Sequence, residues 1–273
     1  MTLLPQTILM CPPDHFEIAY VINPWMEGQF ANTNDTLAHR QWDDLRSAIE
    51  QHAKVVLEPP QRGLPDIVFT ANAGLVLGRK VIVSRFRSKE RQGEEPHNRA
   101  WFAQNGFEIL DWPPDISFEG AGDALFDRGQ ELLWVGHGFR SDATVPALLE
   151  KLLGRKTVAL NLIDPRFYHL DTCLCPLAGG YMLYFPAAFD ATSRGLIESL
   201  VPQDKRIAVT EADALKFCCN AVDLNGHVFM NDASDELQTR LREAGFAPLI
   251  TPLSEFMKAG GAAKCLTLKL IET

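Results

Sequence analysis

The 273-residue chain has no apolar run of the roughly 18 residues that a membrane-spanning helix requires. It shows no secretory signal either: MTLLPQTILMCPPD lacks a basic start and is broken by Pro5, Pro12 and Pro13. Basic residues are few, 26 against 35 acidic ones, for a formal net charge of -9. That balance argues against nucleic acid or an anionic membrane as a partner, because both reward basic patches. It weakly favours cationic ligands, and it serves solubility equally well. The six cysteines, Cys11, Cys173, Cys175, Cys218, Cys219 and Cys265, do not form a disulfide framework for a chain this long, so reduced thiols in a cytoplasmic protein are expected. No paired CxxC motifs mark a structural zinc site, and Cys173 and Cys175 are accounted for by core packing on one strand. No GxSxG marks a nucleophile elbow, and no glycine-rich phosphate loop occurs. No linker or low-complexity tract divides the chain, which reads as one domain over residues 1–273.

What the chain does carry is a repeat of roughly 50 residues, the period left by a ring of supersecondary units. Five short stretches each place a polar or thiol side chain at the mouth of a hairpin: FTANAG with Asn72, FEGAGD with Glu119 and Asp123, FYHLDTC with His169 and Asp171, FCCNA with Cys218 and Cys219, and AAKCLTL with Cys265. Between them lie segments of helical periodicity, beginning with Asp35–His52 behind a cap at Asn34 or Asp35 and continuing around 96–105, 145–153, 191–200 and 234–244. Gly106, Gly154 and Gly245 follow three of these where a left-handed C-cap belongs. A short strand comes after each helix (VVLEP, EILDW, VALNL, IAVTE, PLITP), then a hairpin turning at Gly78-Arg79, Arg128-Gly129, Gly179-Gly180 or Asn225-Gly226. The strand at Cys265–Ile271 has no hairpin partner downstream, and the one near Thr7–Cys11 has no helix before it. Pairing the two closes the α/β ring and removes an exposed edge. Equivalent mouths then face one axis and pool their side chains in one pocket.

Taken singly, these side chains have ordinary explanations. A lone cysteine such as Cys265 is often a small buried hydrophobe, a lone histidine often a satisfied one, and Glu119 and Asp123 could belong to a solvated loop. The HxD spacing argues further: on a strand, His169 and Asp171 would point the same way, letting the carboxylate orient or charge the imidazole.

FTAN, FEGAGD, HLD and GGAAKCLTL, in that order and over nearly the whole chain, resemble the guanidine-modifying superfamily of arginine deiminase, dimethylarginine dimethylaminohydrolase, amidinotransferases and arginine dihydrolase. The resemblance implies a five-bladed, pseudosymmetric α/β propeller and cofactor-free, metal-free hydrolysis. It makes Cys265 the nucleophile on the guanidinium carbon, and His169 the acid for the departing amine and then the base for water. Glu119 would accept guanidinium hydrogen bonds, and Asp171 would support His169 or share that clamp. Asp66, Asn72, Asn23 and Asp123 would line the guanidine pocket, while Arg85 and Arg140 would grip the substrate carboxylate.

Deiminases and methylarginine hydrolases usually carry aspartate at the position of Asn72. The chain resembles the arginine dihydrolase branch there and at VINPWMEGQF. In that branch, cyanobacterial-type enzymes fuse this domain to one related to ornithine cyclodeaminase, and only the hydrolase portion carries over to this chain. The reading that follows is hydrolysis of free arginine to ornithine, carbon dioxide and two ammonia, the same cysteine attacking twice. Its rivals are a single-step enzyme that forms citrulline from arginine or methylarginine, an amidinotransferase, and a non-catalytic binder on the same propeller. Nothing in the sequence sets an oligomeric state, and self-association stays open.

Overall fold

The computed structural model describes residues 6–270. The first five residues of the stretch read above for a signal, and Ile271 at the end of the last expected strand, lie outside it. The described residues build five three-stranded sheets, the blades of a ring. In the second blade β3 (Gly74–Leu77) pairs antiparallel with β4 (Lys80–Val83), and β4 pairs parallel with β5 (Glu108–Ile109). The third repeats this with β6 (Ala124–Phe126), β7 (Leu132–His137) and β8 (Lys156–Asn161). The fourth has β9 (Leu174–Leu177), β10 (Tyr181–Tyr184) and β11 (Arg206–Ala208), and the fifth β12 (Val222–Leu224), β13 (His227–Met230) and β14 (Ala247–Ile250). The remaining blade takes strands from both ends of the chain. There β1 (Thr7–Met10) pairs parallel with β2 (Lys54–Leu57) and antiparallel with β15 (Leu268–Lys269), Ile8 opposite Lys269. The expected closure is therefore present.

Local chemistry explains the elements. The first helix, Asp35–Glu50, starts where the Asn34 side chain accepts the Leu37 N–H, and it turns Ala38, Trp42, Leu45 and Ile49 inward. Helices at Glu94–Gln104, Val145–Leu153, Ala191–Leu200 and Asp235–Glu243 take the same place in the other blades, and Ser234 and Asp190 cap the last two. Gly106, Gly154 and Gly245 hold φ of 75°, 64° and 90° at the ends of three helices. Asn225 and Gly226, both at positive φ, form the tight turn of the fifth blade's hairpin.

Packing between helix and sheet carries the stability. Phe102 of the Glu94–Gln104 helix is fully buried, with Trp101 and Phe107 edge-on at 5.3 Å. Phe102→Ala is expected to cost about 3–5 kcal/mol by removing a large side chain from a tightly packed site; urea denaturation read by circular dichroism measures it, and a loss under about 1 kcal/mol would contradict this packing account.

The mouths differ from the sequence expectation in one respect. Single 3-10 turns, at Thr70–Ala73, Gly120–Gly122 and Leu170–Thr172, precede three of the inner strands. His169 is extended, but Asp171 lies within a turn, so the HxD pair does not sit on a strand. A turn sends residues two apart in different directions, and this decides the partners of both side chains.

Candidate active site

The turns converge on a polar cavity of about 260 Å³ bordered by Asn23, Asp66, Asn72, Arg91, Arg140, Tyr168, His169 and Cys265, with Gly260 and Gly261 along one side. Cys265 lies 3 % exposed at its wall. Asn220 holds it in place: the Asn220 Oδ1 accepts the N–H groups of Ala262 and Cys265 at 3.0 and 3.1 Å. The Nδ2 of the same amide donates to the Cys265 Sγ at 3.1 Å and to the Asp171 carbonyl at 3.0 Å. The thiol in turn donates to Asp171 Oδ2 at 3.5 Å. Burial, and after it the Asp171 charge, push the thiol well above its ordinary range, so the resting sulfur is protonated. Burial also raises Asp171, with Lys264 the foremost influence against it.

His169 meets a different carboxylate. Its Nε2 lies 2.7 Å from Glu119 Oε2. Glu119 also accepts from Arg140 Nη1 at 3.1 Å and, through Oε1, from the Arg87 N–H at 3.2 Å. Burial alone would raise Glu119, but Arg140, His169 and Arg91 outweigh it and hold the carboxyl far below the usual range. An ionised Glu119 can only accept, so Nε2 carries the proton. The expectation that Asp171 orients the imidazole is therefore corrected: Glu119 does so, and Asp171 faces the thiol.

Asn72 bridges two neighbours. Its Nδ2 donates to the Glu119 carbonyl at 2.9 Å, and its Oδ1 accepts from Arg91 Nη1 at 2.9 Å. A Cβ at Gly122 would collide with that amide nitrogen, so a larger residue there would displace the Asn72 amide. Arg91 is buried; it reaches Glu94 through Nε and Nη2, each at 2.8 Å, and the Asp66 carbonyl at 3.1 Å. Asp66 Oδ2 accepts from the Tyr20 hydroxyl at 2.9 Å, and burial raises this carboxyl against the pull of Arg91. Asp66 Oδ1 and Asp171 Oδ1 are both buried without a hydrogen-bond partner among the described residues.

Asn23 borders the cavity with both ends of its amide engaged. It donates to the Ala259 carbonyl at 3.0 Å and accepts the Trp25 and Met26 N–H groups. Arg140 lies over the Tyr168 ring at 4.6 Å, and its Nη2 donates to the Ile22 carbonyl at 2.9 Å.

Four expected residues do not border the cavity: Glu119 and Asp171 contact the bordering His169 and Cys265, and Arg85 and Asp123 are turned elsewhere. Arg85 pairs with Glu95, its side chain 41 % exposed, because its backbone bridges to Phe118 and turns the side chain toward the neighbouring helix. Arg91, from the same segment, is the arginine that reaches the cavity. Asp123 accepts from the Ser141 hydroxyl at 2.6 Å and from the Leu170 N–H at 3.0 Å, so it braces the His169 turn from behind. Burial pushes Asp123 up to about 6 even so. At the fourth mouth Cys218 and Cys219 are core residues, and the next residue, Asn220, faces the site. The amide in FCCNA was the available signal, obscured by two thiols.

The raised thiol has a measurable consequence. Alkylation of Cys265 by iodoacetamide is expected to be slow at neutral pH and to rise with pH beyond the range of an ordinary thiol, since only the thiolate reacts. Asn220→Ala, which removes a donor that favours the thiolate, should displace that rise further upward. A profile of unperturbed cysteine in peptide-mapped Cys265 would refute this electrostatic picture.

Among the described residues no helix is long and apolar enough to cross a membrane. Comparison with known proteins gives a consistent result. Residues 21–272 match the family described as N,N dimethylarginine dimethylhydrolase, eukaryotic. The chain is 56% identical, over 97% of its length, to the bifunctional arginine dihydrolase/ornithine cyclodeaminase ArgZ of Synechocystis sp., of which it spans 38%. It is 38% identical to the N(G),N(G)-dimethylarginine dimethylaminohydrolase of Mycobacterium tuberculosis, covering 96% of this chain and 84% of the relative. The crystal structure of the N-terminal domain of ArgZ bound to substrate superposes with a TM-score of 0.97 at 55% identity, covering 98% of each chain. The chain belongs to the dimethylarginine dimethylaminohydrolase family, within the guanidine-modifying superfamily.

Proposed function

We propose that the chain is a cysteine-dependent hydrolase of the guanidino group of free L-arginine, acting through to ornithine, carbon dioxide and two ammonia. The observation that carries this reading is the pair of buried carboxylate oxygens, Asp66 Oδ1 and Asp171 Oδ1, left without partners beside a protonated thiol. A planar cation bearing several N–H groups supplies what both oxygens lack. Its charge also favours the thiolate, so nucleophile and substrate activate each other.

The thiol passes its proton to Asp171 Oδ2, the acceptor it already faces, as Cys265 Sγ attacks the guanidinium carbon, and the C–N bond to one terminal nitrogen breaks as His169 delivers a proton to it; the proton held by Asp171 is given up when the C–S bond later breaks. Ammonia leaves an S-amidino cysteine. His169 then takes a proton from water as the water oxygen attacks that carbon, and the C–S bond breaks to return the thiol with a ureido product. The same sulfur then attacks the ureido carbon, a second ammonia leaves from its terminal nitrogen in the same way, and water again releases the thiol; the carbamate left on the ornithine nitrogen loses carbon dioxide as its C–N bond breaks and the nitrogen takes up the proton, giving ornithine. Glu119 steadies the imidazolium formed in each round.

The likeness to the N-terminal domain of ArgZ, solved with substrate and with product, supports arginine as the substrate. The chain spans 38% of the length of ArgZ and of its Nostoc counterpart AgrE, so the cyclodeaminase activity in their names is not carried over. We read residues 1–273 as one guanidine-hydrolase domain in a reducing compartment such as the cytoplasm, consistent with six buried free cysteines. Similarity to the mycobacterial dimethylaminohydrolase keeps one second reading in view, a single round on arginine or methylarginine ending at citrulline. Ammonia released per arginine decides: two equivalents with ornithine are expected, and one equivalent with citrulline would establish the second reading instead.

A further inference from the structure

The substrate cavity occupies one end of the axis only. Beyond the catalytic turns the five inner strands surround a second cavity, partly open to solvent, whose empty space of about 590 Å³ includes the solvent at its mouth. Each of them contributes an apolar wall: Val76 from β3, Phe126 from β6, Leu174 from β9, Val222 from β12 and Leu268 from β15. Arg128, Lys264 and Lys269 also border it, against a single carboxylate, Asp223.

Asp223 is already engaged. Its Oδ2 accepts the Ala178 N–H at 2.6 Å, and its Oδ1 accepts the Gly226 N–H at 2.7 Å. Lys269 Nζ donates to the Asp223 backbone carbonyl at 2.8 Å. Lys264 Nζ, by contrast, makes no hydrogen bond or ion pair with any described residue. Lys264 precedes the nucleophile Cys265 in the chain, and its charge favours the ionised forms of both Asp171 and Cys265.

We propose that this axial cavity binds a small amphiphilic monoanion, an aliphatic carboxylate whose tail packs on the inner strands and whose head pairs with Lys264, and that its occupancy slows turnover at the other end of the axis. Apolar walls with one uncommitted ammonium match one charge on an apolar body, the usual composition of a small-molecule site. A compact dianion would lose more hydration than one lysine restores. The effect on turnover, though not the binding, rests on the hydrolase reading, because neutralising Lys264 withdraws support from the ionised Asp171 beside the thiol.

Octanoate is the probe, titrated calorimetrically into the full chain. Saturable binding is expected, unchanged in Cys265→Ala and weakened about tenfold or more in Lys264→Met, the scale of a lost charge-assisted contact. With the unsubstituted chain, octanoate should lower kcat for arginine and leave KM unchanged. Absence of saturable binding, or binding indifferent to Lys264→Met, overturns the proposal, and so does displacement of octanoate by arginine. Should Lys264→Met not fold, Val222→Trp fills the cavity instead; octanoate bound as tightly to it as to the parent overturns the site, and lost binding supports it. Calorimetry needs no turnover, so failure of the chain to hydrolyse arginine would refute the hydrolase reading and leave the binding result standing.

Discussion

Cys265→Ala is expected to bind arginine and convert none of it, with turnover reduced by about 10⁴-fold or more. The side chain contributes little to holding the pocket open. Its N–H, not its sulfur, is what Asn220 Oδ1 grips, and that contact survives the substitution. The groups proposed to receive the cation, Asp66 and Asp171, are untouched, and Asp171 is freed from the thiol that donates to it at rest. Binding should therefore persist or tighten. Calorimetry with arginine measures the first half of this expectation and ammonia release the second. Acid-quenched mass spectrometry adds a direct readout: an S-amidino adduct on Cys265 in the unsubstituted chain and none in the variant. Residual turnover within tenfold of the parent would remove Cys265 from the role assigned to it.

The second large effect is a change of product. Asn72→Ser and Asn72→Asp are expected to stop the reaction at citrulline, with ornithine falling from the whole yield to none. The amide ties the Glu119 turn to Arg91, donating to one and accepting from the other. Serine cannot span both contacts, which leaves Arg91 to seek another acceptor at the pocket wall. Aspartate can keep Arg91 but sets an acceptor against the Glu119 carbonyl, and it adds a carboxylate to a site that already has Asp66. That addition grips a cationic guanidinium more firmly and gives nothing to the neutral ureido group, which needs a donor as well as acceptors. Citrulline would then leave before the thiol attacks again. Chromatography of the products settles the matter, and undiminished ornithine from both variants would dismiss Asn72 as the determinant.

Much of this architecture was legible in the sequence because each repeat declares itself through local rules. Asn34, Gly154 and Asn225-Gly226 mark a helix start, a helix end and a hairpin by backbone chemistry alone, and the structure has them there. Cys265, His169 and Glu119 were legible as positions because a closed ring turns equivalent mouths toward one axis. Their pairing was not. Whether His169 meets Asp171 or Glu119 depends on a 3-10 turn at Leu170–Thr172, three residues with no cap or glycine to announce it. The segment after β4 offers Arg85, Arg87 and Arg91, and charge alone cannot say which turns inward. The bridge from Arg85 to Phe118 makes that choice, and it is a contact between blades. Asn220 is hidden in the sequence for a similar reason, since two core thiols precede the amide that orders a third.

Closure of the ring has a temporal consequence. The inner strand that follows Cys265 is secured by β1, so Ile8 and Lys269 must meet before the nucleophile has a fixed position. During synthesis the other four blades can form from neighbouring segments as they emerge, whereas this one waits for residues from near both ends. Such long-range pairing is the slow step of folding by topology. A nascent chain thus assembles the imidazole and carboxylates first and seats its thiol only once Lys269 has emerged to meet Ile8.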